Sequence, residues 1–200
     1  MSDSPWLQSL IWMDYRLMVI FAGIIPIVLI IWAFVQKAEA IQRLLIIYWR
    51  VVSLSAITIY LMIPALPISF ASGCLARILT PISLWFWLDL NEEISDRPLS
   101  PLKLTFTSWR WAITLYSLFG LLLQIPALGC AFLTATDIKN TPSCRYWLEP
   151  HWLYKEIFHA NSTVGFLGFL GIVGLIIYMF VFGYFVLIRL SKQGRSATGV

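Results

Sequence analysis

The chain has 200 residues, of which 60% are hydrophobic and only 12% are charged, and its mean hydropathy is +0.81. A water-soluble domain carries roughly 25% charged residues because its surface faces water, so this composition excludes a soluble globular protein. The net charge of +4 does not indicate nucleic-acid binding, because the basic residues stand singly at the ends of apolar segments and form no patch.

Five apolar segments are long enough, at ~1.5 Å per residue, to cross a hydrocarbon core of ~30 Å as helices. The second and third lie in one nearly uncharged stretch, which must turn back on itself at Pro64 and Pro67, because proline lacks an N–H donor and disfavours helix at the preceding residue. We therefore predict an all-α membrane protein with a single domain over residues 1–200. The predicted spans are residues 17–36, 44–63, 68–90, 109–133 and 164–188.

Two amphipathic segments are predicted to form short helices on the membrane surface. The first begins at Ser4 and Pro5, which are typical of a helix N-terminus. The second lies in the loop of residues 134–163, where Pro150 is predicted to open a helix.

Lys and Arg residues predict the orientation of the bundle, because they are enriched in cytoplasmic loops. Nine of the fourteen lie at one end of the five spans: Lys37, Arg43, Arg50, Arg97, Lys103, Arg110, Arg189, Lys192 and Arg195. The opposite end has four: Arg16, Lys139, Arg145 and Lys155. The N-terminus is therefore expected outside, in the lumen or periplasm, and the C-terminus in the cytoplasm. All ten tryptophans fall near predicted span ends, as expected for amphipathic indoles.

Arg77 is the one Lys or Arg residue that this arrangement leaves inside a span. It lies about 15 Å from Pro67 at ~1.5 Å per residue, where a charge costs at least ~2.5 kcal/mol and needs a partner. Four partners stay open: the carbonyl of residue 77 that Pro81 cannot bond, Asp14, a helix kink in another span, and an anionic group on a partner molecule. Arg77 is accordingly either a structural buried charge or a site that binds a partner.

Four carboxylates follow the third predicted span, at Asp89, Glu92, Glu93 and Asp96. If the helix continues beyond the membrane, this spacing places them on one face. Such a stripe can hold Mg²⁺ for a phosphorylated substrate, because hard cations prefer oxygen ligands. A solvated helix end or a docking site for a basic partner explains the same residues, so they are only weak metal candidates.

Cys130 and Cys144 both fall on the predicted outer side, in or beside one loop. Because non-cytoplasmic compartments permit disulfides, and closing a loop this short stabilises a fold by on the order of 3 kcal/mol, they are a disulfide candidate. Cys74, within a span, is predicted to be a small packing residue.

Glycines recur at every third position where the last span begins. Because small residues allow close approach of helix backbones, we predict that they pack inside the bundle, with contact to another subunit or a flat pigment as the alternative. These residues are Gly165, Gly168, Gly171 and Gly174.

No histidine lies within a predicted span, since His151 and His159 both belong to the outer loop. This placement excludes a transmembrane bis-histidine haem and histidine-ligated chlorophyll inside the bundle. The cofactor content stays open: chlorophyll can also bind through a backbone carbonyl, Gln124, Asn161 or water, and a carotenoid needs no ligand.

Several segments resemble those of an uncharacterised family of cyanobacterial integral-membrane proteins, whose domain has no assigned function. They are WMDYRL at 12–17, KAEAIQRLLIIYWR at 37–50, SLWFWLDLNEE at 83–93, SPLKLTFTSWRWA at 100–112, CRYWLEP at 144–150 and GFLGFLGIVGLIIY at 165–178. The resemblance covers the whole chain and implies a photosynthetic host and a thylakoid location. Small membrane proteins there are often accessory subunits or assembly factors of photosystems.

The lack of a reaction motif favours a non-catalytic accessory or assembly subunit of a larger membrane complex. Such a protein would contact the lipid bilayer and other membrane subunits, and it would not be an enzyme. Two alternatives are a small transporter or channel, favoured by proline kinks and Arg77, and a metal-dependent membrane enzyme that uses the Asp89–Asp96 stripe.

Overall fold

The computed structural model describes residues 5–190 and 194–197, without the side chain of Arg189. This part of the chain contains nine α-helices and no strand. They are α1 (Pro5–Met18), α2 (Ile25–Val35), α3 (Glu39–Met62), α4 (Ile68–Trp85), α5 (Leu88–Asp96), α6 (Pro101–Gln124), α7 (Ala135–Asn140), α8 (Pro142–Phe158) and α9 (Val164–Tyr184). π-helical segments follow α1 (Val19–Ile24) and α9 (Phe185–Leu190), and a 3-10 segment follows α6 (Ile125–Phe132).

Five stretches of helix are long and apolar enough to cross a membrane, which confirms the predicted all-α membrane fold. They are Pro5–Val35, Glu39–Met62, Ile68–Trp85, Pro101–Phe132 and Val164–Ile188. We name the two ends of the bundle by a helix that lies there. The α8 end holds Pro5, the turn at Pro64–Pro67 and residues 133–163, and the α5 end holds residues 36–38 and 86–100. Which end faces the cytoplasm stays a prediction from the Lys and Arg distribution.

The first helix is longer than predicted, because no separate surface helix precedes it. Met18 and Ile25 both have right-handed helical backbone angles, so α1, the π-helical segment and α2 are continuous. At ~1.5 Å per residue the 31 residues extend about 46 Å, more than the ~30 Å of a hydrocarbon core. Asp14, in this continuous helix, is buried inside the bundle.

Pro26 explains the π-helical segment in this helix. Because proline has no N–H, the carbonyl groups one turn before it lose their helical donor. Two aromatic side chains replace that donor: the Tyr48 hydroxyl donates to the carbonyl of Ala22 (2.9 Å), and the Trp109 indole N–H donates to that of Phe21 (2.8 Å). The kink thus ties the first helix to α3 and α6.

The predicted turn between the second and third spans is present at Pro64–Pro67. Ala65 has φ of 64°, a left-handed conformation that costs an alanine roughly 1 kcal/mol. Its N–H donates to the carbonyl of Met62 (3.0 Å), and the next N–H, of Leu66, donates to that of Leu61 (3.1 Å). These bonds satisfy carbonyls at the end of α3, and Ala65 itself is buried.

The third span ends at Trp85, five residues earlier than predicted. Trp87 has an extended backbone, and the chain restarts as the separate short helix α5. The carboxylates of residues 89–96 therefore do not continue the membrane helix.

The second and fourth spans begin earlier than predicted, at Glu39 and Pro101. At the start of the fourth span, the Ser100 hydroxyl accepts a hydrogen bond from the N–H of Lys103 (3.2 Å).

Helix α8 begins at Pro142 and not at Pro150, which lies inside it. It packs across the end of the bundle that also holds Pro5 and the turn at Pro64–Pro67. Its Trp152 indole donates to the carbonyl of Ile63 (3.1 Å), and Glu149 accepts a hydrogen bond from the Gln8 side chain (2.7 Å). Helix α8 is therefore a cap fixed to both α1 and the turn after α3.

Cys130 and Cys144 form a disulfide, with their Cα atoms 5.9 Å apart. The bond joins the 3-10 segment after α6 to the first turn of α8, and both residues are buried in the same apolar cluster. The cap is thus covalently attached to the fourth span. Cys74 is free and buried.

Helix α9 packs against α3 along a glycine edge. A Cβ at Gly168, Gly171 or Gly174 would have its nearest heavy atom at 2.9–3.3 Å, so a larger residue would push the helices apart. The prediction that Gly165 also packs inside the bundle is wrong. Nothing lies within 4 Å of a Cβ built at Gly165, so this glycine takes no part in the contact with α3. The partners of the three packed glycines are, in the same order, Pro64, Leu61 and Ile57.

Candidate functional site

A polar layer separates two apolar clusters in the bundle. The cluster at the α5 end surrounds Tyr48, Phe106 and Trp109, and the cluster at the α8 end surrounds Phe70 and Trp147. The layer between them contains buried or nearly buried polar side chains from α1, α3, α4 and α6. They are Asp14, Thr58, Ser72, Arg77, Thr80, Ser117 and Gln124.

Arg77 and Asp14 form an ion pair at the centre of this layer. Arg77 Nη2 donates to Asp14 Oδ2, and the two side chains are only 12% and 11% exposed. Of the four partners that the sequence left open, the structure brings Asp14 to Arg77. The pair joins α1 to α4 across 63 positions of the sequence. Two opposite charges at this depth satisfy each other, which a lone charge there cannot do.

Two side chains of α6 complete the contacts of the pair. Arg77 Nε donates to Gln124 Oε1 (2.9 Å), whose amide nitrogen in turn donates to the carbonyl of Phe70 (3.4 Å). The Tyr116 hydroxyl donates to the backbone carbonyl of Asp14 (3.1 Å), and its ring lies 5.4 Å from the guanidinium. Both functional atoms of the Gln124 amide thus take part in hydrogen bonds within the bundle.

Glycine makes room for the guanidinium. A Cβ at Gly120 of α6 would overlap Arg77 Nη1, and a Cβ at Gly73 of α4 would lie 2.5 Å from the Gln124 amide nitrogen. Any side chain at Gly120 would therefore displace Arg77. No sequence pattern indicates this role, because Gly120 belongs to no repeat or motif.

A small cavity adjoins the ion pair. Its volume is about 60 Å³, and its lining includes Asp14, Tyr15, Arg77, Tyr116 and His151. Pockets for small organic ligands usually measure ~300–1,000 Å³, so this one has space for a few water molecules only. The polar layer is therefore a packed interior, not a substrate chamber.

His151 of α8 lines this cavity. The residue is buried, its ring nitrogen Nδ1 lies 2.9 Å from the carbonyl of Trp147, and its ring meets Tyr15 edge-on at 5.5 Å between centroids. A neutral tautomer with Nδ1 protonated donates to that carbonyl. Burial lowers the pKa of His151 to about 4, against a smaller rise from the bond to Trp147. His151 is therefore neutral at pH 7.

A second buried arginine lies at the α5 end. Arg110 is 8% exposed; its guanidinium carbon lies 3.8 Å from the centroid of the Trp85 ring, and Nη1 donates to Asn91 Oδ1 (2.6 Å). This is a cation–π contact supported by one amide. The sequence predicts Arg110 only as one of the orienting charges at a span end, because its stacking partner Trp85 belongs to another helix.

The carboxylate stripe is divided in the structure. Asp89 Oδ2 accepts hydrogen bonds from the Ser196 hydroxyl (3.1 Å) and the N–H of Ala197 (2.8 Å). Glu92, Glu93 and Asp96 stay exposed. Within the described residues no three His, Cys, Asp or Glu side chains come together as a metal site. Asp89 thus holds the segment of residues 194–197 against α5.

Residues 8–198 match the family described as Protein of unknown function (DUF3177). The chain belongs to this family. The match covers nearly the whole chain and confirms the predicted resemblance to an uncharacterised family, while a cyanobacterial origin stays a prediction. Neither a curated protein nor a solved structure matches the chain.

Proposed function

We propose that the protein is a non-catalytic accessory or assembly subunit of a larger membrane complex, in the thylakoid membrane of a cyanobacterium and associated with a photosystem. The observation that carries the proposal is the packed polar layer. Its central charges, on Arg77 and Asp14, bond each other, and the cavity beside them is about 60 Å³. An interior of this kind stabilises a bundle and leaves the outer faces for interactions.

The outer face of α9 is the surface that we expect to meet another subunit. Along this helix only Leu167, Gly168, Gly171 and Tyr178 are buried. Large aromatic side chains stand on the opposite side, where lipid or a neighbouring membrane helix would cover them: Phe166, Phe169, Phe180 and Tyr184, with exposed fractions of 53–75%. We name a photosystem as the partner by analogy, from the predicted cyanobacterial host and thylakoid location.

The test uses the tagged full chain in cyanobacterial thylakoids, solubilised in a mild detergent and separated on a native gel. We expect the protein to migrate with a photosystem or one of its assembly intermediates. We expect a Phe169→Ala, Phe180→Ala double variant to release it, while Phe119→Ala on the exposed face of α6 does not. Two results together would contradict the proposal. The wild-type protein would migrate as a colourless monomer, and a strain that lacks the protein would contain both photosystems at normal abundance.

A small transporter or channel is the second candidate, favoured by the polar residues that line the cavity from Arg77 to His151. Its test is flux through proteoliposomes that contain the wild-type protein, with Arg77→Gln as the comparison. Flux that requires Arg77 would support this candidate over the first. The metal-dependent enzyme has weaker support, because Asp89 already accepts hydrogen bonds from residues 196 and 197.

A further inference from the structure

Helices α3 and α9 are closely packed near the α8 end and separate toward the α5 end. The closest approaches are at Gly168 and Gly171, where a Cβ would lie 2.9 Å from Pro64 and 3.0 Å from Leu61. At Gly174 the nearest atom is already 3.3 Å away. Beyond this point the two helices enclose a groove of about 690 Å³, more than ten times the volume of the cavity beside Arg77.

The lining of this groove is mainly apolar. Aliphatic side chains from both helices face it, and Trp87 and Phe185 stand near its α5 end with their rings 6.0 Å apart. A volume of this size is within the range of pockets that hold small organic ligands, and the lining favours a hydrocarbon chain. The aliphatic residues are Ile46, Ile47, Val51, Ile57, Ile177 and Val181.

Two arginines of α3, Arg43 and Arg50, line the same groove. They are seven residues apart, so they lie two turns apart on one face of the helix, about 10 Å along its axis. Arg43 bonds Glu39 at 3.3 Å, an ion pair whose side chains are 50% and 72% exposed. Arg50 has no ion pair among the described residues.

The position of Arg50 favours contact with an anion. It lies eleven residues after the start of α3, about 16 Å along a helix that crosses the membrane. An arginine on the outer surface of such a helix extends toward the headgroup region, where it meets lipid phosphates. A guanidinium binds a phosphate with two parallel hydrogen bonds.

We propose that the groove between α3 and α9 binds one anionic glycerophospholipid. One acyl chain lies between the helices along the aliphatic lining, and the phosphate is bound by Arg50 and Arg43. A lipid fits better than a partner helix because both arginines lie in the half of the α3 lining nearer the α5 end, while the lining beyond Arg50 carries no charge. Basic pockets between membrane helices recognise anionic headgroups in this way.

The experiment measures lipid retention by the purified full chain with native mass spectrometry. The protein is delipidated in detergent and offered equal amounts of phosphatidylglycerol and phosphatidylcholine of the same chain length. We expect the wild type to retain one phosphatidylglycerol in preference to phosphatidylcholine. Because one basic residue changes the affinity for an anionic lipid by about fivefold, Arg50→Gln should reduce the preference by about that factor, and Arg43→Gln, Arg50→Gln should abolish it.

Two further variants separate the groove from the rest of the surface. Val181→Trp fills the groove without changing charge and should reduce retention of either lipid. Arg145→Gln removes an arginine of α8, at the other end of the bundle, and should leave the preference unchanged. Equal retention of the two lipids by the wild type would overturn the proposal. So would normal retention by Val181→Trp, or recovery of a pigment or a second polypeptide in the groove instead of the lipid.

Discussion

The two buried arginines of this protein are stabilised in different ways. Arg77 lies in the middle of a membrane-crossing helix and bonds a carboxylate and an amide oxygen. Its guanidinium occupies the space left by the missing side chain of Gly120. Arg110 lies nearer a helix end and has the face of Trp85 and the Asn91 amide instead. A full opposite charge is needed near the middle of a span, whereas an aromatic face and one amide suffice closer to its end. The four predictions that follow are ordered by expected effect.

Asp14→Asn should cause the largest loss, because it leaves Arg77 buried without an opposite charge. Breaking one partner of a buried ion pair costs roughly 3–5 kcal/mol. The measurement is the free energy of unfolding in detergent, obtained by titration with denaturant, and Asp96→Asn on the exposed face of α5 is the control. A loss below about 1 kcal/mol would remove the difference between the two arginines.

Lowering the pH should reduce the local stability of the α8 end and leave that of the α5 end unchanged. Burial lowers the pKa of His151 to about 4 from an ordinary value of 6.5, so the unfolded chain binds more protons between those two values. Stability is therefore complete above pH 6.5 and falls as the pH decreases toward 4, by on the order of 3 kcal/mol in total. Hydrogen exchange followed from pH 7 to pH 4.5 should show faster opening of α8.

His151→Gln is the variant that isolates this effect, and His159→Gln removes the other imidazole as a control. The acid-dependent opening should disappear in the first variant and persist in the second. If both variants open with acid as the wild type does, another group is responsible.

Gly120→Ala should destabilise the protein by roughly 2 kcal/mol, because the added methyl group overlaps Arg77 and forces it from its bonds. Gly129→Ala adds the same group where nothing lies within 4 Å. Thermal unfolding in detergent compares the two. Equal melting temperatures would show that the guanidinium does not pack against α6 as described.

Asn91→Ala should have the smallest effect, about 1 kcal/mol, because Arg110 loses one hydrogen bond but keeps its contact with Trp85. Asn161→Ala, in the exposed turn before α9, is the control for denaturant unfolding. A loss as large as that of Asp14→Asn would mean that the aromatic face contributes little.

Much of the fold follows from the sequence alone. Long apolar segments predict five crossings because every backbone group in lipid must bond within its own helix, and Pro64 and Pro67 predict the turn. The position of Cys130 and Cys144 in or beside one outer loop predicts the disulfide that they form. These features depend on residues close in the chain, or on the compartment in which a loop lies.

The site was harder to predict because its partners are distant in the chain. The first predicted span begins after Asp14 and Arg16. Only Arg77, which lies 63 positions after Asp14, makes that carboxylate acceptable inside the bundle. The start of α8 was likewise missed, because Pro150 suggested a helix start while Pro142 already occupies that position. Gly120 carries no local pattern at all.

The most direct test of a structural role for the ion pair is a double-mutant cycle on Asp14 and Arg77. Asp14→Asn, Arg77→Gln and the combined variant are unfolded under the same conditions. If the pair fastens α1 to α4, the combined variant is more stable than Asp14→Asn alone, and the coupling energy is about 2 kcal/mol or more. Losses that add to within about 0.5 kcal/mol would contradict the account, because the two charges would then act independently.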